Sequence, residues 1–360
     1  MLTDDYFPAD YFAARGAFHA RAAGAELGDY PISATGPNGE ALSLDSAYLG
    51  NPAPRRLVVI TSGVHGVEGY AGSALQQLWL AEFAGPLPAD TGVLLVHALN
   101  PYGFAHGRRV NEHNVDLNRN ALAAFPGPAN PAYRSLDTWL NPPSQQPRPD
   151  DFVWRALPLL LRHGRAALAQ AIAAGQYEFP QGLFYGGRER EPSLAIFAGL
   201  LAAPRFAGVQ RAWHLDLHTG LGRYGRYQLL LEEPPATREF ECLTRGFGAQ
   251  AVKSDHAAHT THYSAHGILP TLTRLTLPTA HTLAATVEFG TLGPATLLRL
   301  LRAENRVHHY GAHRSGDAAR IRATLRDALA PRDPAWRAAV IAGGRRIFTQ
   351  LRMMLAEPQA

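Results

Sequence analysis

The chain has 360 residues, 46% of them apolar, with 34 basic against 30 acidic side chains. This apolar content excludes a disordered chain, and a formal charge of +4 over this length gives no electrostatic case for a nucleic-acid partner. The single cysteine, Cys242, excludes an intrachain disulfide and a cysteine-ligated zinc site, so any metal must be held by histidines and carboxylates.

Residues 4–25 carry spaced aromatics and alanines and read as a helix. From Tyr30 to Leu49 a GPNGE turn joins two alternating segments, the pattern of an antiparallel hairpin. Residues 56–61 form an apolar run expected to be a buried strand, 70–84 have helical apolar spacing, and 92–99 read as the next buried strand. Strand, helix, strand in that order predicts a parallel pair joined by a right-handed crossover. Seven prolines between Pro126 and Asp150 mark a surface excursion, because strands resume after it at 212–217, 227–232 and 283–289. Beyond Gly293-Pro294 the chain turns helical, over 295–310, 317–329 and 334–355. The expectation is one α/β domain over 1–360, with a mixed, mainly parallel central sheet flanked by helices. An N-terminal helix and hairpin precede the sheet, the Pro-rich excursion occupies 126–150, and helices over 295–355 close the chain. The acidic N-terminus has no apolar h-region, and no apolar run reaches the roughly 18 residues that span a bilayer, so a soluble cytoplasmic protein is expected.

Four polar segments fall at or after strand ends, where ligands gather in open α/β sheets. They are His65-Gly66-Val67-Glu68, the run from Arg109 to Asn120, His214-Leu215-Asp216-Leu217-His218-Thr219-Gly220, and Thr286-Val287-Glu288-Phe289-Gly290. His65 and Glu68 read either as a metal-binding pair or as a turn cap and a helix opener. His218 reads either as a third ligand or as a hydrogen-bonded histidine at a strand end. The NVDLNRN stretch reads either as substrate-binding chemistry or as a polar turn with an Asx motif. Taken together the segments supply what metal-assisted hydrolysis needs. Three His or carboxylate ligands leave an open position on a catalytic zinc. A buried carboxylate with a raised pKa, Glu288, can move protons. Guanidinium and amide groups, Arg109, Asn118 and Arg119, can hold an oxyanion and a carboxylate. His256, His259, His262 and His266 could build a second site, but the first constellation already accounts for a metal, and they read as a polar loop near the cleft. Cys242 reads as an inert thiol on a helix. No G-x-S-x-G elbow is present, which argues against a serine hydrolase.

HGVEG, RVNEHNVDLNRN, DLHTG and VEFGT, in this order, resemble the zinc carboxypeptidase superfamily of the carboxypeptidase A/B type. Asn114 stands where glycine is usual, and asparagine tolerates the same positive φ. The DLHTG form is similar to the succinylglutamate desuccinylase and aspartoacylase branch. The whole set, with GLFYGG and DLHTGLGRYG, is most similar to a bacterial branch of the superfamily. The resemblance implies a carboxypeptidase-like (phosphorylase/hydrolase-like) fold and one Zn2+ per chain held by His65, Glu68 and His218. It makes Glu288 the general base and then acid, and Arg109 the group that polarises the carbonyl. It gives Asn118 and Arg119 the substrate carboxylate, and Asp116 the orientation of His65. The superfamily's mobile tyrosine has three candidates by chain order, Tyr224, Tyr227 and Tyr263. The expected function is zinc-dependent hydrolysis of amide bonds in small carboxylate-bearing substrates. The substrate is either a peptide, for a metallocarboxypeptidase, or an N-acyl amino acid, for a deacylase. The alternative from another class is a non-catalytic binding protein on the same fold. No nucleic-acid or membrane partner is expected, and the ligand set would also accept cobalt, nickel or iron.

Overall fold

A computed structural model describes residues 3–143, 152–254, 265–277, 281–311 and 316–356. Its strands are β1 (Glu26–Thr35), β2 (Ala41–Gly50), β3 (Arg56–Ser62), β4 (Thr91–His97), β5 (Arg211–Gly220), β6 (Tyr227–Leu231), β7 (Val252–Ser254) and β8 (His281–Gly290). They form one sheet in the order β1-β2-β4-β3-β5-β8-β6-β7. The central run β4-β3-β5-β8 is parallel, as is β6-β7, while the β1-β2, β2-β4 and β6-β8 pairs are antiparallel. The sheet is therefore mixed and mainly parallel, and helices cover both of its faces.

The central strands are buried along their length because both faces are covered, which is why they read as nearly unbroken apolar runs. On one face Val58, Ile60, Leu95, Leu215 and Val287 pack with the helices Gly69–Glu82 and Pro334–Ala356. On the other, Leu57, Val59, Val96 and Ala212 pack with the helices Pro192–Leu201 and Leu269–Thr276. A third cluster joins Val67 to helices from the 131–173 and 294–329 regions. Among the described residues, no helix is long and apolar enough to cross a membrane.

Two departures from the sequence reading have local causes. The expected helix over 4–25 is a 3-10 turn, Thr3–Tyr6, followed by a helix, Tyr11–Arg21. Pro8 separates them, and Asp10 restarts the helix by accepting a hydrogen bond from Ala13 N at 2.8 Å. The helices Phe152–His163 and Arg165–Ala173 follow the Pro-rich stretch. Pro158 lies inside the first and Gly164 separates the two, and both residues argue against a helix when read from sequence. Residues 144–150 of the excursion lie outside the described residues.

The loop after the helix Pro101–His106 carries Arg109 and is anchored from behind. Arg108 is wholly buried; its Nε donates to Glu304 Oε1 at 2.8 Å and its Nη2 to Asn114 Oδ1 at 3.0 Å. Asn114 adopts φ 60°, the conformation for which asparagine substitutes for glycine. Removing one partner of a buried ion pair leaves an uncompensated charge, so Glu304→Ala is expected to cost about 3–5 kcal/mol in urea unfolding. A loss within about 1 kcal/mol would show that the loop needs no such anchor.

Candidate metal centre

β3 ends at Ser62, and the chain reverses through Gly63 at φ +67°. A 3-10 turn, Gly66–Glu68, then leads into the helix Gly69–Glu82. Gly66 is a packing requirement: a Cβ there would lie 2.1 Å from the carbonyl carbon of Gly103 on the neighbouring helix. His65 and Glu68 occupy the cap positions of the turn and the helix, yet neither side chain makes a capping hydrogen bond. Both point elsewhere, towards His218 near the end of β5.

His65 Nδ1 lies 2.9 Å from Glu68 Oε1, and His218 Nδ1 lies 3.1 Å from Glu68 Oε2. One donor atom from each of the three residues falls within 4.8 Å of the other two, and all three side chains are buried. The far edge of each imidazole is held by an aspartate. His65 Nε2 is 3.1 Å from Asp116 Oδ1, and His218 Nε2 is 2.6 Å from Asp216 Oδ2. Two imidazoles with Nδ1 turned inward and Nε2 fixed by carboxylates, beside a third carboxylate, are the donor set of a zinc-type site with its orienting groups. The residues thus fit a small divalent ion.

Electrostatics divide the carboxylates. Burial pushes Glu68 up, but the His65 and His218 imidazoles outweigh it and hold its carboxyl well below the usual range. Burial likewise raises Asp116 and Asp216, and each ends lowered, by Arg109 and His65 in the first case and by His218 in the second. Glu288 goes the other way. It faces His218 across the β5–β8 register, and burial pushes it up to about 7. Its one hydrogen bond among the described residues is from Leu221 N at 3.2 Å. A carboxyl titrating near neutrality next to ionised carboxylates is the arrangement expected of a proton-transfer group.

Arg109 borders the same cluster: its Nε donates to Asp116 Oδ2 at 3.1 Å and its Nη1 to Glu68 Oε1 at 3.3 Å. Asp116 opens the short helix Leu117–Asn120 by accepting from Asn118 N at 3.0 Å, so the Asx motif and the contact with His65 coexist in one side chain. Asn118 Oδ1 accepts from Leu269 N at 2.8 Å, and its Nδ2 makes no hydrogen bond among the described residues. Arg119 is more enclosed than a fork open to solvent. It is 2% exposed; its Nε and Nη2 donate to Ala173 O at 3.0 and 2.7 Å, and its Nη1 donates to Asn118 O. Three of its five N–H groups are thereby engaged. Phe184, at φ 57°, sets its ring 5.4 Å from the Arg109 guanidinium and 5.8 Å from that of Arg119.

Tyr224 is 46% exposed and donates to Asp333 Oδ2 at 2.9 Å, whereas Tyr227 packs on Phe289; Tyr263 lies outside the described residues. So do His256, His259 and His262, while His266 donates its backbone N–H to Ala174 O. Cys242 lies on the helix Arg238–Phe247, partly buried. Two residues at the site are not singled out by the sequence reading. Asp216 was legible, because residues two apart on a strand share a face, which puts it beside His218. Gln228 was not: its position opposite Glu288 depends on the β6–β8 register, and its buried Nε2 has no partner among the described residues.

Fold and centre together define an α/β protein with a buried His-Glu-His cluster at the carboxyl ends of parallel strands. Residues 7–343 match the sequence profile of the family described as "Protein of unknown function (DUF2817)", and the chain belongs to that family. Solved structures similar to it include carboxypeptidase A from Helicoverpa armigera, at 12% identity and a TM-score of 0.45, covering 90% of this chain and 74% of that one. A metallo-carboxypeptidase from Burkholderia cenocepacia is 14% identical, with a TM-score of 0.46, over 97% of this chain and 70% of the other. Succinylglutamate desuccinylase from Chromobacterium violaceum is 17% identical, with a TM-score of 0.38, over 88% and 74%. No curated protein matches the chain.

Proposed function

We propose that the protein is a zinc-dependent hydrolase of amide bonds in small substrates that carry a carboxylate. The observation that carries this reading is the convergence of His65, Glu68 and His218, backed by two aspartates, with the Glu288 carboxyl paired opposite His218 in the sheet. When bound, a divalent ion supplies Lewis acidity, polarising a carbonyl and making a water easier to deprotonate. Glu288 takes the proton of the attacking water and returns it to the leaving nitrogen. The Arg109 guanidinium, already turned towards Glu68, holds the negative charge that develops on the carbonyl oxygen. The Nδ2 of Asn118 and the two N–H groups of Arg119 that have no partner among the described residues hold the substrate carboxylate.

The test is a panel assayed with zinc-supplemented protein: peptides with free C-termini, the same peptides amidated, and N-acyl amino acids with their amides. Hydrolysis of free acids is expected, with kcat/KM at least about 10-fold lower for the amides, because a charge-assisted hydrogen bond contributes roughly 1.5–3 kcal/mol. Cleavage of peptides selects a carboxypeptidase, and cleavage of N-acyl amino acids a deacylase. Hydrolysis of neither class by metal-loaded protein sinks both and leaves a binding protein on this fold.

A further inference from the structure

Beneath the centre lies a buried chain of hydrogen bonds that the reaction itself does not use. Asp216, which holds His218 through Oδ2, receives the Thr61 hydroxyl on Oδ1 at 2.6 Å. Thr61 Oγ1 lies 2.9 Å from His214 Nε2, and His214 Nδ1 lies 2.8 Å from Thr273 Oγ1. All five side chains are at most 2% exposed. The order is built by the sheet. Thr61 pairs with Asp216 across β3 and β5, while His214, Asp216 and His218 alternate onto one face of β5. Thr273 reaches His214 from the helix Leu269–Thr276.

Counting protons fixes the direction of every bond. Thr61 Oγ1 donates to Asp216 Oδ1, and a hydroxyl has a single proton to give. Thr61 Oγ1 must then accept from His214, which places the His214 proton on Nε2. Burial pulls the His214 pKa down to about 4, so the ring is neutral, and its bare Nδ1 accepts from Thr273. The protons therefore run one way: Thr273 to His214, His214 to Thr61, Thr61 to Asp216. Asp216 takes the Nε2 proton of His218 from the other side. With Nε2 committed in this way, His218 has only Nδ1 to offer the centre.

We infer that Thr61, His214 and Thr273 are positioning residues that fix the ring orientation and tautomer of His218 through Asp216, and so set the affinity of the centre for its metal. This inference rests on the metal-centre reading above. A mere packing role needs shape at position 61; the relay needs its hydroxyl. Thr61→Val keeps the shape and strands both the Asp216 oxygen and the His214 proton, whereas Thr61→Ser keeps the hydroxyl.

The experiment titrates zinc against a chromophoric chelator and records the visible spectrum of the cobalt-substituted protein, for wild type, Thr61→Val, Thr61→Ser and Thr273→Val. Loss of groups that orient metal ligands typically weakens binding 10- to 100-fold, so Thr61→Val, one bond further out, is expected to weaken zinc about 10-fold. Its cobalt bands should shift, and Thr61→Ser should restore both. Thr273→Val should weaken zinc by less, and it carries the test if Thr61→Val does not fold. Wild-type affinity and wild-type cobalt bands in folded Thr61→Val, or in Thr273→Val where Thr61→Val cannot be studied, overturn the relay and leave the centre standing. A wild type that takes up neither zinc nor cobalt overturns the metal centre and the relay with it.

Discussion

Glu288→Gln is expected to lower kcat on the best substrate of the panel by about 10²- to 10⁴-fold, the usual contribution of a positioned acid–base group. The substitution keeps the size of the side chain and an oxygen for the bond from Leu221 N. It removes only the ability to take and return a proton. Metal content should stay at the wild-type level, because the ligand atoms belong to His65, Glu68 and His218. KM should change little, since the lost interaction exists only in the transition state, and kcat and kcat/KM should fall together. If Glu288→Gln turned over at the wild-type rate, the proton would have to travel by another group. The hydrolytic reading would then lose the residue that separates it from simple metal binding.

What could be read from the sequence divides along a physical line. Strands β3, β4, β5 and β8 are buried on both faces, so their apolar runs stand out without any knowledge of partners. The helix Gly69–Glu82 was legible from its spacing, although it carries apolar or small residues nearly all round. At the site, short-range geometry was visible: a three-residue separation joins His65 to Glu68, and alternation along β5 joins Asp216 to His218. Tertiary geometry was not. Thr61 and Asp216 are 155 positions apart, and Thr61 and His214 are 153 apart, so only the β3–β5 register brings them together. The clamp on Arg119 also comes from a distance, since Ala173 O lies 54 positions away, on the helix Arg165–Ala173. Motif spacing says which residue types are available; it does not say that three N–H groups of Arg119 are already engaged by backbone. The cap readings of His65 and Glu68 show the converse. Their positions at the turn are those a cap would occupy, and only side-chain direction separates the two roles.

Removing a ligand should have the second large effect, and it can be read without any substrate. Protein purified without added metal is expected to hold about one zinc per chain, and His65→Ala and His218→Ala to hold almost none, because a buried two-ligand remnant binds far more weakly than a three-ligand site. Stability carries the same information. An ion bound to the native state alone stabilises it by RT ln(1 + [L]/Kd), about 2.7 kcal/mol at a hundredfold excess over Kd and about 4.1 at a thousandfold. A strong chelator should therefore lower the wild-type melting temperature and leave that of His218→Ala unmoved. The reason the native state alone binds lies in the fold. His65 and Glu68 follow β3, His218 sits on β5, and their inward-facing nitrogens are set by Asp116 and Asp216 from two further points of the chain. An unfolded chain brings none of these together. If chelator moved the melting temperature of His218→Ala as far as that of the wild type, the ion would be held elsewhere. The cluster of His65, Glu68 and His218 would then be a buried network of hydrogen bonds, closed by its own charges.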